Sequence, residues 1–163
     1  MTEAIINALV GLPAWLRVIL LSAIPITEYQ LSIPLGIHEY HLNAWLVFML
    51  AAAGATLIFV PVYFGLDALH SFIEQRLPRL LRPLDLLIAR AENKLKDRYA
   101  KYGAIALFLF LVIPFPLTGV WTASFAAVAL KIPFKQAAFG ILTGMLVGAT
   151  VVTLLSVGGG LVF

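Results

Sequence analysis

One carboxylic acid, Glu28, sits inside an otherwise apolar stretch, Ala23-Ile-Pro-Ile-Thr-Glu-Tyr-Gln-Leu-Ser-Ile-Pro-Leu-Gly36. If that stretch lies in a bilayer, its ionised form costs about 2.5–3.5 kcal/mol near the centre, so such a residue marks a functional site by default. Its natural roles are to carry a proton or to face a cation. The plainer role is to cap a half-helix or to sit near the outer interface. Thr27 and Gln30 are neutral hydrogen-bonding neighbours that suit a protonated carboxyl, and Pro25 and Pro34 bracket the acid. A second polar break reads Ile113-Pro-Phe-Pro-Leu-Thr-Gly-Val-Trp121. Its Pro114, Pro116, Thr118, Gly119 and Trp121, with Ser124 beyond, either satisfy freed backbone groups or line a substrate path. These eleven positions form the expected substrate or proton pathway.

Other clusters point elsewhere. His38, Glu39 and His41 match a metal site only loosely and fit an external loop, while Asp67, His70 and Glu74 share one helix face beside Arg76. There is no cysteine, which excludes thiolate catalysis and disulfides. No phosphate-cradling glycine loop, zincin helix or nucleophile elbow is present. An enzyme is therefore not expected, nor any cofactor or metal.

The elements around these residues must be membrane helices. Of the 163 residues, 62% are hydrophobic and 12% charged. A water-soluble surface cannot be built from that composition. Leu42–Leu69 (apart from Asp67), Tyr102–Leu130 and Gln136–Phe163 carry no charged residue or histidine. Each exceeds the roughly 20 residues that cross a hydrocarbon core. No signal peptide is expected. The pI near 9.4 reflects cytoplasmic lysine and arginine rather than nucleic-acid binding. Eight of the eleven basic residues fall between Arg76 and Lys101. In this polar connector, Leu84, Leu87, Ile88, Ala91, Leu95 and Tyr102 repeat with helical spacing, which predicts an amphipathic helix on the inner membrane surface.

Lys131 and Lys135 decide the topology. If Tyr102–Leu130 crossed the membrane, both would face away from the connector, against the positive-inside rule. If it dips in and returns, ten of the eleven basic residues share one side and only Arg17 is left over. Pro114 and Pro116 break that segment into two halves of about 11 residues, or about 16 Å, which reaches only the midplane. The first third repeats the design: an apolar half-helix Trp15–Ile24, a break around Glu28, then a long helix Asn43–Phe64. A shift of about 90 residues brings Ala23-Ile-Pro25 onto Val112-Ile-Pro114, Leu42-Asn43 onto Ile132-Pro133, and Gly54 onto Gly144. The expected fold is an all-α integral membrane domain spanning 1–163. It has two inverted repeats, about 12–70 and 102–160, each a re-entrant helical hairpin plus a long transmembrane helix, joined by a cytoplasmic connector at 71–101. Gly54 and the stripe Gly140, Gly144 and Gly148 predict close helix packing.

Two stretches resemble a known family. Ile24-Pro-Ile-Thr-Glu-Tyr-Gln-Leu-Ser-Ile-Pro-Leu-Gly-Ile37 is similar to its pattern of Pro, then Glu-Leu-Arg, then Ala-Ile-Pro-Leu-Gly. Pro114-Phe-Pro-Leu-Thr-Gly-Val-Trp-Thr-Ala123 is similar to its Pro-Leu-Pro-Gly-Thr-Gly-Ala-Trp-Thr. The family is that of the small multi-drug export proteins, and the resemblance implies an exporter. Gln30 stands where the pattern has Arg, so no cation is supplied to Glu28. The order of elements also resembles the DedA-type membrane family, which implies re-entrant hairpins and lipid-carrier transport.

The expected function is a multi-pass transporter or flippase of the cell membrane, proton-coupled through Glu28. Its partners would be membrane lipid and a small amphipathic substrate or lipid carrier, with no nucleic acid, and the chain could form a homo-oligomer. A structural or chaperone-like membrane subunit is the competing class.

Overall fold

The computed structural model describes residues 5–6, 9–76, 99–113 and 119–159. Most of the expected connector helix lies outside them, as do Pro114, Pro116 and Thr118. The described residues form helices and no strand. They are α1 (Ala14–Ala23), α2 (Glu28–Pro34) running into one wide turn at Leu35–Glu39, α3 (Ala44–Arg76), α4 (Tyr99–Val112), α5 (Val120–Ala129) and α6 (Phe134–Val157).

The first break falls at Pro25. After α1, the Ile24 carbonyl accepts from Thr27 and Glu28 N–H at 3.2 and 2.9 Å, turning the chain around Pro25. Glu28 opens α2 with φ +41°. A left-handed conformation at a residue with a Cβ costs about 1–2 kcal/mol. Such strain persists only where surrounding contacts over-determine it. Pro34 has no N–H to donate, and the helix loosens beyond it: Tyr40 N–H reaches the Leu35 carbonyl five residues back at 3.0 Å.

Two turns lead into the long helices, and both use a left-handed residue that is not glycine. They are His41 (φ +51°) and Lys131 (φ +53°), 90 positions apart. At the second, Lys131 N–H bonds the Val128 carbonyl at 3.0 Å and Ile132 N–H the Ala127 carbonyl at 2.8 Å. That pair closes α5 and consumes its orphan carbonyls. Asn43 caps α3 through Oδ1, which accepts from Trp45 N–H at 2.9 Å.

The apolar part of α3, Ala44–Leu66, and the whole of α6 are long and apolar enough to cross a membrane. At 1.5 Å per residue each is about 35 Å long. α3 continues to Arg76, past the Phe64 expected from sequence. Polarity from Asp67 onward marks where the apolar stretch ends, but Ala, Leu, Glu and Gln still favour helix. The two long helices run antiparallel. Near the start of α3, His38 Nε2 lies 3.1 Å from the Ser156 carbonyl at the end of α6. Near the other end, Phe134 stacks on Phe59 and Phe64 at 5.7 and 4.9 Å. Tyr63 donates to the Ile132 carbonyl there at 2.7 Å.

The shorter helices fit against the glycines. A Cβ on Gly54 would stand 2.4 Å from the Ile19 carbonyl oxygen of α1. On Gly140 and Gly144 it would stand 2.3 Å from Ala104 O and 2.7 Å from Phe108 O of α4. Helices in lipid gain no hydrophobic drive from association, so this backbone-to-backbone approach supplies dispersion contact instead. The core between the layers is small and tight, with Val18, Tyr29, Ile33, Val47, Leu111, Ile141 and Met145 fully buried. Outer faces are apolar too, with Leu57, Phe139 and Leu154 each more than 65% exposed. That is the reverse of a water-soluble bundle and suits a hydrocarbon solvent.

Candidate functional site

The two broken segments meet at Glu28. Its Oε2 accepts from Val120 N–H at 2.8 Å and its Oε1 from Trp121 N–H at 3.3 Å. These are the first two residues of α5 and belong to the four N–H groups that a helix cannot satisfy internally. A carboxylate also suits the positive end of the helix dipole. Glu28 therefore caps a half-helix, but the half-helix lies 92 residues away on the other broken segment. The residue is buried, 6% exposed.

Gly119 makes the approach possible. A Cβ there would fall 1.6 Å from Glu28 Oε2 and 2.0 Å from its carboxyl carbon. The residue's backbone is extended, with φ −129° and ψ −174°, which any residue can adopt. Glycine is needed for space, not for conformation.

Two further bonds cross between the segments in opposite directions. Tyr29 hydroxyl donates to the Leu111 carbonyl at 3.1 Å. Trp121 Nε1 donates to the Ala23 carbonyl at 2.9 Å. Each donor is the second residue of a helix that follows a break. Each acceptor is among the last carbonyls of the helix that precedes the other break. Gly148 leaves room for this, because a Cβ there would meet Leu111 O at 2.4 Å and Tyr29 Oη at 2.8 Å. Tyr29→Phe and Trp121→Phe should each lower the unfolding free energy by about 0.5–1.5 kcal/mol. Thermal unfolding in detergent micelles checks this, and unchanged midpoints for both variants would contradict it.

The other expected positions divide. Thr27 is buried, but its hydroxyl donates to the Leu21 carbonyl rather than to Glu28. Gln30 hydrogen-bonds the Tyr29 side chain. Thr27, expected to serve Glu28, is thus engaged elsewhere, and the carboxyl's described partners are the backbone N–H groups of Val120 and Trp121. Pro25 is exposed in the first turn and Pro34 is buried. Ser124, fully buried, bonds back to the Val120 carbonyl at 2.6 Å. Arg17, the cation that stood apart in sequence, donates from Nε to the Leu12 carbonyl at 2.7 Å and lies over the Tyr40 ring at 5.4 Å. It does not approach Glu28.

Sequence reasoning missed Tyr29 and Ser32. Ser32 is fully buried, with its hydroxyl 2.6 Å from that of Ser22. A signal existed: Tyr29 and Trp121, like Ser32 and Ser124, stand 92 residues apart, close to the shift that aligned the prolines.

No curated protein and no solved structure matches the chain. A family model described as "Putative small multi-drug export protein" matches residues 28–151, a stretch that begins on Glu28 and takes in Gly119, Trp121 and the glycines of α6 up to Gly148. With two helices long and apolar enough to span a bilayer, this chain is a membrane protein and belongs to that family.

Proposed function

We propose that the protein is a multi-pass transporter built from two inverted repeats, each a re-entrant helical hairpin plus a long transmembrane helix, with its transport site where the hairpins meet. The observation that carries this is the Glu28 carboxylate on the Val120 and Trp121 N–H groups. Broken segments at matching positions of two halves are where transporters bind substrate. Three arrangements support the repeat. α1 packs on α3 at Gly54 as α4 packs on α6 at Gly144. The aromatic donors cross reciprocally. The left-handed turns at His41 and Lys131 stand 90 positions apart.

The re-entrant path has support of its own. Arg17, early in α1, lies against Tyr40, just before α3. A Cβ on Gly103, early in α4, would stand 2.9 Å from Ile132, just before α6. Each broken segment therefore leaves close to where it began. Lys131 and Lys135 then share the end of the bundle with Arg76 and Tyr99, which the positive-inside rule assigns to the cytoplasm along with connector 71–101.

The mechanism follows from the capping contact. An ionised Glu28 holds α5 to the first hairpin through two charge-assisted bonds. A proton on the carboxyl discharges it, weakens both bonds and frees the start of α5. The exposed N–H groups then suit the polar head of a small amphipathic compound or lipid carrier. The structural-subunit alternative requires glycine faces open to partner helices. Gly54, Gly140, Gly144 and Gly148 are already occupied by this chain's own backbone.

The test is flux in proteoliposomes under an imposed pH gradient, with a cationic dye and a labelled lipid phosphate as separate probes. Glu28→Gln should abolish the dependence of flux on the gradient while leaving a residual downhill rate. Gradient-dependent flux that survives the substitution would remove Glu28 from coupling. No flux of either probe in the parent protein would favour a non-transporting subunit.

A further inference from the structure

We propose that His38 and Tyr63 are the two gates of the Glu28 site, each tethering one repeat to the other at one end of the bundle; this rests on the two-repeat reading of that site. The tethers have the same build. Tyr63, late in the apolar part of α3, donates to the Ile132 carbonyl in the turn before α6 at 2.7 Å. His38, in the wide turn before α3, brings Nε2 to 3.1 Å from the Ser156 carbonyl late in α6. A carbonyl only accepts, so His38 Nε2 carries the proton. Each contact joins the far end of one long helix to the turn that leads into the other. Tyr63 lies about 28 Å along α3 from Ala44, so the two contacts stand at opposite ends. With connector 71–101 cytoplasmic, the Ile132 end faces inward and the His38 end outward.

Each turn is seated on its own repeat. A Cβ on Gly36 would stand 3.0 Å from Val18 of α1 and 2.8 Å from Val47 of α3. At the other turn, Ile132 fits over Gly103 of α4, 2.9 Å from where a Cβ would be. A turn so seated moves with its own repeat, and the bond it makes to the other repeat is the one that parts when the repeats rock. A midplane site is reached from one side when the tether at that end parts and the other holds.

The two ends differ in strength. Around Tyr63, the Phe134 ring stacks on Phe59 and Phe64 and meets the Tyr63 ring edge-on at 5.2 Å. Such ring pairs add to the hydrogen bond. The His38 end has no such cluster. Val151–Val157 contains no aromatic residue, and Trp45 at the start of α3 is 70% exposed and stacks on Phe48 of its own helix. His38 itself is half-buried. The His38 tether is therefore the weaker one and parts first. Its wide turn is of a kind that recurs at functional sites in helices.

The test reads accessibility rather than flux. The chain has no cysteine, so one introduced cysteine reports alone. Ser32→Cys and Ser124→Cys each place it at a fully buried position, one on each broken segment. Right-side-out and inside-out membrane vesicles are then treated with a charged methanethiosulfonate that does not cross the bilayer. His38→Ala should raise the labelling rate from the outer side by about tenfold and leave the inner side unchanged. His38→Phe, which keeps a ring but cannot donate, serves should His38→Ala fail to fold. His38→Gln, whose amide still donates, should return the parent rate. Tyr63→Phe should raise labelling from the inner side only, by about threefold, because the rings stay in place. Labelling at the parent rate in the donor-free His38 variants would overturn the proposal. So would faster labelling from both sides in either tether variant, which marks a general stabiliser rather than a gate. Flux without one-sided labelling would remove the gates and leave transport standing. One-sided labelling in a protein that moves neither probe would keep the gates and remove transport.

Discussion

Gly119→Ala is expected to destabilise the protein by about 3–5 kcal/mol and to abolish transport. The added methyl would lie 1.6 Å from Glu28 Oε2 and 2.2 Å from Oε1. The atoms in the way are the end of the Glu28 side chain, which can swing aside only by giving up both N–H groups it caps. The carboxylate must leave, which strands Val120 and Trp121 N–H in a buried site and removes the partners of a buried charge. Each orphaned donor costs about 1–3 kcal/mol. A double-mutant cycle with Glu28→Ala separates this cause from a general defect. If the clash with the carboxylate is the damage, the two losses overlap, and their coupling should exceed about 2 kcal/mol. Additive losses in chemical unfolding would show that Gly119 matters for some other reason.

Gly140→Ala should cost about 1–3 kcal/mol, the usual range for overpacking a tight contact. Its Cβ would meet Ala104 O at 2.3 Å and two more backbone atoms of that residue at 3.0 Å, so α4 as a whole must move off α6. Gly65→Ala is the matched control. It also lies inside a long helix, but a Cβ there meets nothing within 4 Å. Removing a mid-helix glycine from open space should raise stability by about 0.5–1 kcal/mol. Opposite signs for the two substitutions in thermal unfolding would bear out the packing account. A loss at both positions would mean that glycine flexibility, not close approach, is being read.

The large features were legible because they rest on composition and on proline. The apolar runs announced α3 and α6 to within a residue or two at their starts, Ala44 and Phe134 against Asn43 and Gln136. Pro25 marks a real break, since a ring without an N–H acts locally. Glu28 drew notice as a lone acid. Its partners stayed hidden because they are backbone N–H groups, which every residue carries and no side-chain pattern reveals. Trp121 stood out for its place beside the second break, whereas Tyr29, one residue past the acid, drew no notice. The far end of α3 was misjudged because polarity and helix propensity are different properties, and only the first changes at Asp67.

The crossing bonds from Tyr29 and Trp121 bear on how the chain is made. The Ala23 carbonyl emerges early in synthesis, and its donor follows 98 residues later. The Leu111 carbonyl arrives after Tyr29, which has by then waited 82 residues for an acceptor. The first broken segment is thus made with two polar groups whose partners lie on the second. Until Trp121 emerges, the nascent protein holds an incompletely bonded break.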